Sequence, residues 1–132
     1  MSSCNKIGSD PESTEYVLEL DQYDDYTFPF KITTGAGTTE DPEVSMDLTG
    51  ASLEWTISRT PTTAVLESLI IAYTNRLAGE CSASIYVELT CGPTPEDMAS
   101  RYFHHLVLID SLGHRRTVAK GLCKVNRGVA PV

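Results

Sequence analysis

The sequence predicts an all-β fold, an antiparallel two-sheet β-sandwich of about seven strands, and three observations carry that expectation. Apolar and polar residues alternate at period two through several separate stretches. Clusters of Gly, Pro, Asn, Asp and Ser punctuate those stretches, as turns between short strands require. The chain has 132 residues, the length of one domain with one hydrophobic core.

Residues 1–14 carry Ser, Asn, Gly, Asp and Pro around an isolated Ile7 and read as a flexible N-terminal arm that a partner would order. The sandwich domain is expected over 15–126, with 127–132 as a C-terminal tail. In the domain, Tyr16, Leu18 and Leu20 alternate with Val17 and Glu19, and Tyr26, Phe28, Phe30 and Ile32 alternate with Thr27, Pro29, Lys31 and Thr33. Both stretches are strands with one buried face. Pro29 cannot donate a ladder hydrogen bond, which places the second strand at a sheet edge or beside a bulge.

Asp21, Asp24 and Asp25 between these strands lack the central Gly and terminal Glu of a calcium loop and fit a tight turn instead. Gly35, Ala36 and Gly37 resemble half of a phosphate-binding loop, but the Thr, Glu and Asp that follow would repel a phosphate, so a hairpin tip is the better account. After the loop Thr34 to Asp47, Leu53, Trp55 and Ile57 alternate with Glu54, Thr56 and Ser58, which turns the single tryptophan inward. The run Ala64 to Tyr73 suits a buried strand or a helix, and strand is preferred.

Ile85, Val87 and Leu89 alternate with Tyr86 and Glu88 in a further strand that stops at Cys91, Gly92 and Pro93. Thr94 as cap, Pro95 in the first turn and Glu96 and Asp97 at the positive end of the dipole predict one short helix near residues 94–100. From Tyr102 the chain is strongly strand-forming, Asp110 to Gly113 makes a hairpin, and Arg115 to Val125 returns with Gly121 inside it. The expected core is Phe28, Phe30, Leu53, Trp55, Ile57, Ile85 and Val87.

Nothing in the chain has the spacing of a catalytic or metal constellation. His104 and His105 are adjacent on a strand and point to opposite faces, so they cannot ligate one metal; one partly buried and two surface histidines are expected. The G-x-S-x-G and H-E-x-x-H patterns are lacking, and no C-x-x-C pair occurs among Cys4, Cys81, Cys91 and Cys123. The expectation is therefore no catalytic residue, no cofactor and no metal. Cys81 and Cys91 lie too far apart along one extended segment to pair, at about 30 Å against about 5.5 Å for a disulfide.

A formal charge of -8 argues against nucleic acid or an anionic membrane as partner. The charge is uneven, about -9 over residues 1–60 and +1 over 61–132 by count. Arg115, Arg116, Lys120, Lys124 and Arg127 fall near the end, so identical copies could meet with opposite signs. Arg115, Arg116 and Lys120 are accordingly candidate interface residues, with Cys4 on the arm as a fourth that could reach a neighbouring subunit. The first residues lack the basic start and apolar stretch of a secretory signal, and no run approaches the length of a membrane helix, so the product is expected to stay where it is made.

The string DLTGASLEWTISR, Asp47 to Arg59, resembles a segment that recurs in small β-sandwich virion proteins of tailed bacteriophages, including N-terminal domains of siphophage baseplate proteins. The later pieces follow in the same order: Thr94-Pro95-Glu96-Asp97, Arg101-Tyr102 with Leu106, Asp110 to Gly113, and Gly121, while DYTFPFKI is similar to the opening strand. The resemblance spans roughly residues 16–125, each piece being short and low in information. It implies a non-enzymatic structural component of a virion, made in the bacterial cytoplasm, repeated in many copies and acting through contacts with other phage proteins. A head or neck position (decoration, cement or collar) is preferred, because there is no second domain to carry a receptor-binding tip. A tail or baseplate adaptor, or a free-standing sugar- or peptide-binding module with Tyr23, Tyr26 or Tyr73 exposed, are the alternatives.

Overall fold

Ten strands form one continuous hydrogen-bonded sheet in the computed structural model, which describes residues 5–8, 14–15, 17–35, 38–92 and 98–128. In chain order they are β1 (Asn5–Gly8), β2 (Thr14–Glu15), β3 (Leu18–Asp21), β4 (Asp25–Thr34), β5 (Val44–Ser45), β6 (Ser52–Ser58), β7 (Val65–Asn75), β8 (Glu80–Tyr86), β9 (Arg101–Ile109) and β10 (Arg115–Asn126). Their spatial order is β1-β4-β8-β7-β6-β9-β10-β2, with β5 beside β4 and β3 beside β10. The fold is all-β, as period-two alternation predicts. Ten strands replace the seven expected because β1, β2 and β5 are too short to show a period.

The sheet curls over its own inner face. Phe28 and Phe30 on β4 meet Trp55 on β6 edge to face, with ring centroids 5.6 and 5.3 Å apart, although β8 and β7 separate those strands in the ladder. β7 makes the turn possible by changing partners: Leu69 and the residues before it pair with β6, whereas Ile70 to Asn75 pair with β8. Enclosed by this curl are Phe30, Leu53, Trp55, Ile57, Ile85 and Val87, all expected inside, together with Leu20, Leu48, Tyr102, Leu106 and Val125. Phe28, expected in the core, is only half-buried, since it lies on the stretch of β4 nearest the sheet margin. Val87 and Leu89 are buried beyond the end of β8, which stops at Tyr86, three residues earlier than the alternation suggests.

Parallel pairings depart from the antiparallel expectation at both margins. β1 pairs with β4 in parallel (Asn5 opposite Phe30, Gly8 opposite Thr33), and β10 takes β2 and β3 in parallel on one side. The four residues of β1 fall within the segment read as an arm. Among the described residues, nothing pairs with β4 on that same side at Asp25 to Pro29, so Pro29 sits on a free edge, where its missing N–H interrupts no ladder. Cys4, Tyr16, Ala36, Gly37 and residues 93–97 lie outside the described residues, and the helix expected near 94–100 is represented there by a single 3-10 turn, Met98–Ser100.

The aspartate-rich turn after β3 is held by backbone bonds and by the Gln22 side chain. Tyr23, in the left-handed region at φ 69°, donates its N–H to the Val87 carbonyl at 2.7 Å, and Val87 donates back to Asp24 at 3.1 Å. Gln22 donates its backbone N–H to Asn126 and its side-chain amide to the Leu89 carbonyl. Gly79 closes the turn between β7 and β8 at φ 70°, where a Cβ would come within 2.6 Å of the Ile32 carbonyl and 2.7 Å of that of Met46. Only glycine meets both demands.

Candidate functional site

The change of partner along β7 leaves a cleft. Val65 to Leu69 follow β6, while the segment after Tyr86 follows the turn below β3, and the two strands that are neighbours at Ile70 and Ser84 part beyond that point. The space between them is a cavity of about 520 Å3, lined by Arg59, Leu66, Glu67, Glu88, Leu89 and Tyr102 among others. Its rim is apolar. Val65 and Leu66, the latter at a bulge in the ladder with β6, are 54% and 53% exposed, and Ile70 farther along the strand is 73% exposed.

One wall is rigid. Arg59, just past β6, donates through one terminal nitrogen to the carbonyls of Met98, Ala99 and Arg101 and through the other to the Tyr102 hydroxyl, with its guanidinium 4.2 Å above the Tyr102 ring. Tyr102 donates its own hydroxyl to the Thr90 carbonyl at 2.6 Å. The positive charge of Arg59 is thus spent on backbone carbonyls and a ring face. Glu67 and Glu88 form no ion pair among the described residues, so the charge left over in the cleft is negative.

The opposite end of the sheet is pinned in a similar way by Arg76, which donates to the Leu48 and Ala51 carbonyls and lies 3.8 Å above the Tyr73 ring, while the Tyr73 hydroxyl accepts the Leu53 N–H. Tyr73 is therefore a structural group there. A second, smaller cavity of about 390 Å3 sits at the β9–β10 hairpin, lined by Met46, Leu108, Asp110, His114, Arg115 and Arg116. Asp110 accepts the N–H groups of Leu112 and His114 at 2.9 Å each, and these bonds, that of His114 foremost, hold its carboxyl below the usual value.

The sequence-predicted interface residues are dispersed rather than gathered. Arg115 and Arg116 are at the hairpin, Lys120 is farther along β10, all three exposed, and Cys4 lies outside the described residues. Arg115 forms an ion pair with Glu54 of its own chain at 3.3 Å. Lys124 stands opposite Glu19 in the parallel β3–β10 ladder. Part of the charge asymmetry is therefore met within the fold, where the acidic first half lies beside the basic last strand.

His104 is fully buried rather than partly so; His105 is half-buried on the other face, and the His114 side chain is exposed. Cys81 and Cys123 are buried thiols pushed up to about 11 and about 12 by burial, with the Arg76 charge partly opposing the first. Cys91 is half-buried, its thiol 3.4 Å from the Gln22 side-chain oxygen. Among the described residues no three His, Cys, Asp or Glu side chains converge as a metal site would need. The cleft residues Arg59, Leu66, Glu67 and Glu88 were not singled out from sequence, and the one signal there was the two-sided apolar run of β7.

No protein-family model matches this chain, and no curated protein matches it. Solved structures with a similar fold include the SrpA adhesin of Streptococcus sanguinis, at 12% identity and TM-score 0.49, covering 87% of this chain and 58% of that one. Also similar are the fibronectin(III)-like modules of Clostridium thermocellum CbhA, at 7% identity and TM-score 0.43, covering 93% and 99%. A chain from the complex of ICOS with ICOS-L and an anti-ICOS-L VNAR domain matches at 13% identity and TM-score 0.44, covering 88% and 56%. This chain spans less than two thirds of the first and third of these, and the likeness to all three is one of all-β fold.

Proposed function

We propose that this chain is a non-enzymatic structural component of a tailed-phage virion, a multi-copy accessory protein of the head or neck that acts through contacts with other phage proteins. Two lines support this reading: the ordered resemblance over residues 16–125 and the strand edge at Val65 to Leu69, unpaired among the described residues, with apolar residues along it. The second is the observation that carries it. A strand edge with free N–H and C=O groups can take a further strand; here Glu67 and the bulge at Leu66 restrict which strand it admits, while Val65 and Leu66 keep part of it apolar. In this reading the curled sheet is a two-layer sandwich whose layers share β7, and it works without cofactor, nucleic acid or membrane.

Mass spectrometry of purified particles, with immunogold labelling to place the protein, tests the proposal. Stoichiometric recovery with label on the head or neck is the expected result. Label on the tail or baseplate would replace the head assignment by the adaptor reading, and recovery only from the particle-free lysate would overturn the virion assignment.

A further inference from the structure

The first half of β7 has the properties of half a binding site. In an antiparallel ladder each strand spends one side of its backbone on each neighbour, so pairing with β6 satisfies only the groups of Val65 to Leu69 that face that way. The remaining N–H and C=O groups face the cleft, where no described strand pairs with them. The edge runs over five residues with a bulge at Leu66, where Glu67 faces Ile57 and Val65 faces Ser58, and at about 3.3 Å per residue it reaches at most roughly 17 Å, enough for a short added strand. The cavity, at about 520 Å3, falls in the ordinary range of about 300–1,000 Å3 for binding clefts.

Charge decides the occupant. Glu67 at the middle of the edge and Glu88 across the cleft face the same space, and Arg59, the only cation lining it among the described residues, is already bonded to three carbonyls and a hydroxyl. A second copy of this chain paired edge to edge over Val65–Leu69 would set Glu67 against Glu67, which is destabilising for directly opposed like charges. An extended segment with a base at that position meets both carboxylates instead.

We propose that this edge takes up an extended strand of a partner virion protein by β-augmentation, with a Lys or Arg of that strand seated between Glu67 and Glu88 and apolar side chains lying beside Leu66 and Ile70. This deepens the protein-contact reading and rests on it.

The test uses the full chain and a capped nine-residue probe of alternating Thr and Val with Lys at its centre, against the same probe with Glu there. The Lys probe is expected to bind about tenfold tighter, with new amide protection confined to Val65–Leu69. Glu67→Lys should reverse the order of the two probes. Leu66→Lys, a change at an exposed position, should weaken both while the melting temperature holds. Equal binding of both probes, no binding, or protection on β4 instead would overturn the proposal, as would self-association of the free chain that Leu66→Lys abolishes. Failure with the probes while the protein is still recovered in particles removes the strand-docking site alone; absence from particles with intact probe binding removes the virion assignment alone.

Discussion

Trp55 donates its indole N–H to Nδ1 of His104 at 3.2 Å, inside a core where Trp55 is 1% exposed and His104 not at all. Trp55 stands opposite Leu106 in the β6–β9 ladder and Ile57 opposite His104, so the two rings are diagonal neighbours on one inward face. With Phe28 and Phe30 against the other sides of the indole, one polar contact is embedded among aromatic ones. A nitrogen that accepts this bond carries no hydrogen, so the neutral imidazole keeps its hydrogen on Nε2.

Replacing Trp55 should therefore separate packing from hydrogen bonding. Trp55→Phe leaves His104 Nδ1 without its indole donor and is expected to cost about 1–3 kcal/mol. Trp55→Ala adds a cavity and should cost about 3–5 kcal/mol. Urea melts of the two variants measure the difference, and equal losses would mean that the aromatic packing contributes nothing beyond the bond.

The three described cysteines should react in a fixed order. Cys81 and Cys123 are buried, with thiols raised to about 11 and about 12 by burial, so almost none of either is thiolate at pH 8. Cys91 is half-buried and donates its thiol to the Gln22 amide oxygen. Iodoacetamide at pH 8 followed by peptide mapping should label Cys91 in the folded protein and the other two only after unfolding. Early labelling of Cys123 would show that β3 leaves its place beside β10.

Acid should loosen the β9–β10 hairpin before the core. Backbone N–H donors, that of His114 first, lower the Asp110 carboxyl below its ordinary 3.8. A depressed carboxylate contributes stability that is present above the unfolded value and is lost as pH falls through the folded one. The loss is therefore confined to pH below about 4. Amide exchange at Leu112 and His114 should rise there, and Asp110→Ala should show fast exchange at neutral pH with no further acid step. Asp47, lowered by the hydroxyl and N–H of Thr49, should behave alike in its own turn.

Much of this fold was readable from alternation, and what escaped it shares a physical cause. β6 and β9 each bury one face, so Leu53, Trp55 and Ile57, and Tyr102, His104 and Leu106, announce themselves at period two. β1, β2 and β5 have two to four residues, and only their partners define them. β7 hid more. It serves β6 with one half and β8 with the other, and both its faces are partly exposed, so its sequence lacks the clean alternation of a half-buried strand and suits a helix as well as a strand. The cleft exists because of that divided pairing, which is a property of strand order and not of any local stretch. The Trp55–His104 bond was likewise beyond reach: alternation turned Trp55 inward, but the partner was set by register.

Arg115 and Arg116 should part company when their charges are reversed. Both were read from sequence as candidates for contact between copies, yet Arg115 is paired with Glu54 of its own chain at 3.3 Å, whereas Arg116 has no such partner among the described residues. Arg115→Glu sets like charges face to face. Because both side chains are about half exposed or more, the loss in stability should stay within about 1 kcal/mol. Arg116→Glu should leave stability unchanged and act on assembly, lowering the copy number bound to particles. At about 1 M salt the Debye length is roughly 3 Å, so wild-type binding should fall in the same direction, while an interface of buried apolar residues would hold or tighten. Melting temperature and particle-bound copy number, measured on both variants and in both salts, separate these effects. If Arg116→Glu and salt both leave the copy number untouched, the basic hairpin is a solubility feature and the contacts between subunits are carried by strand edges.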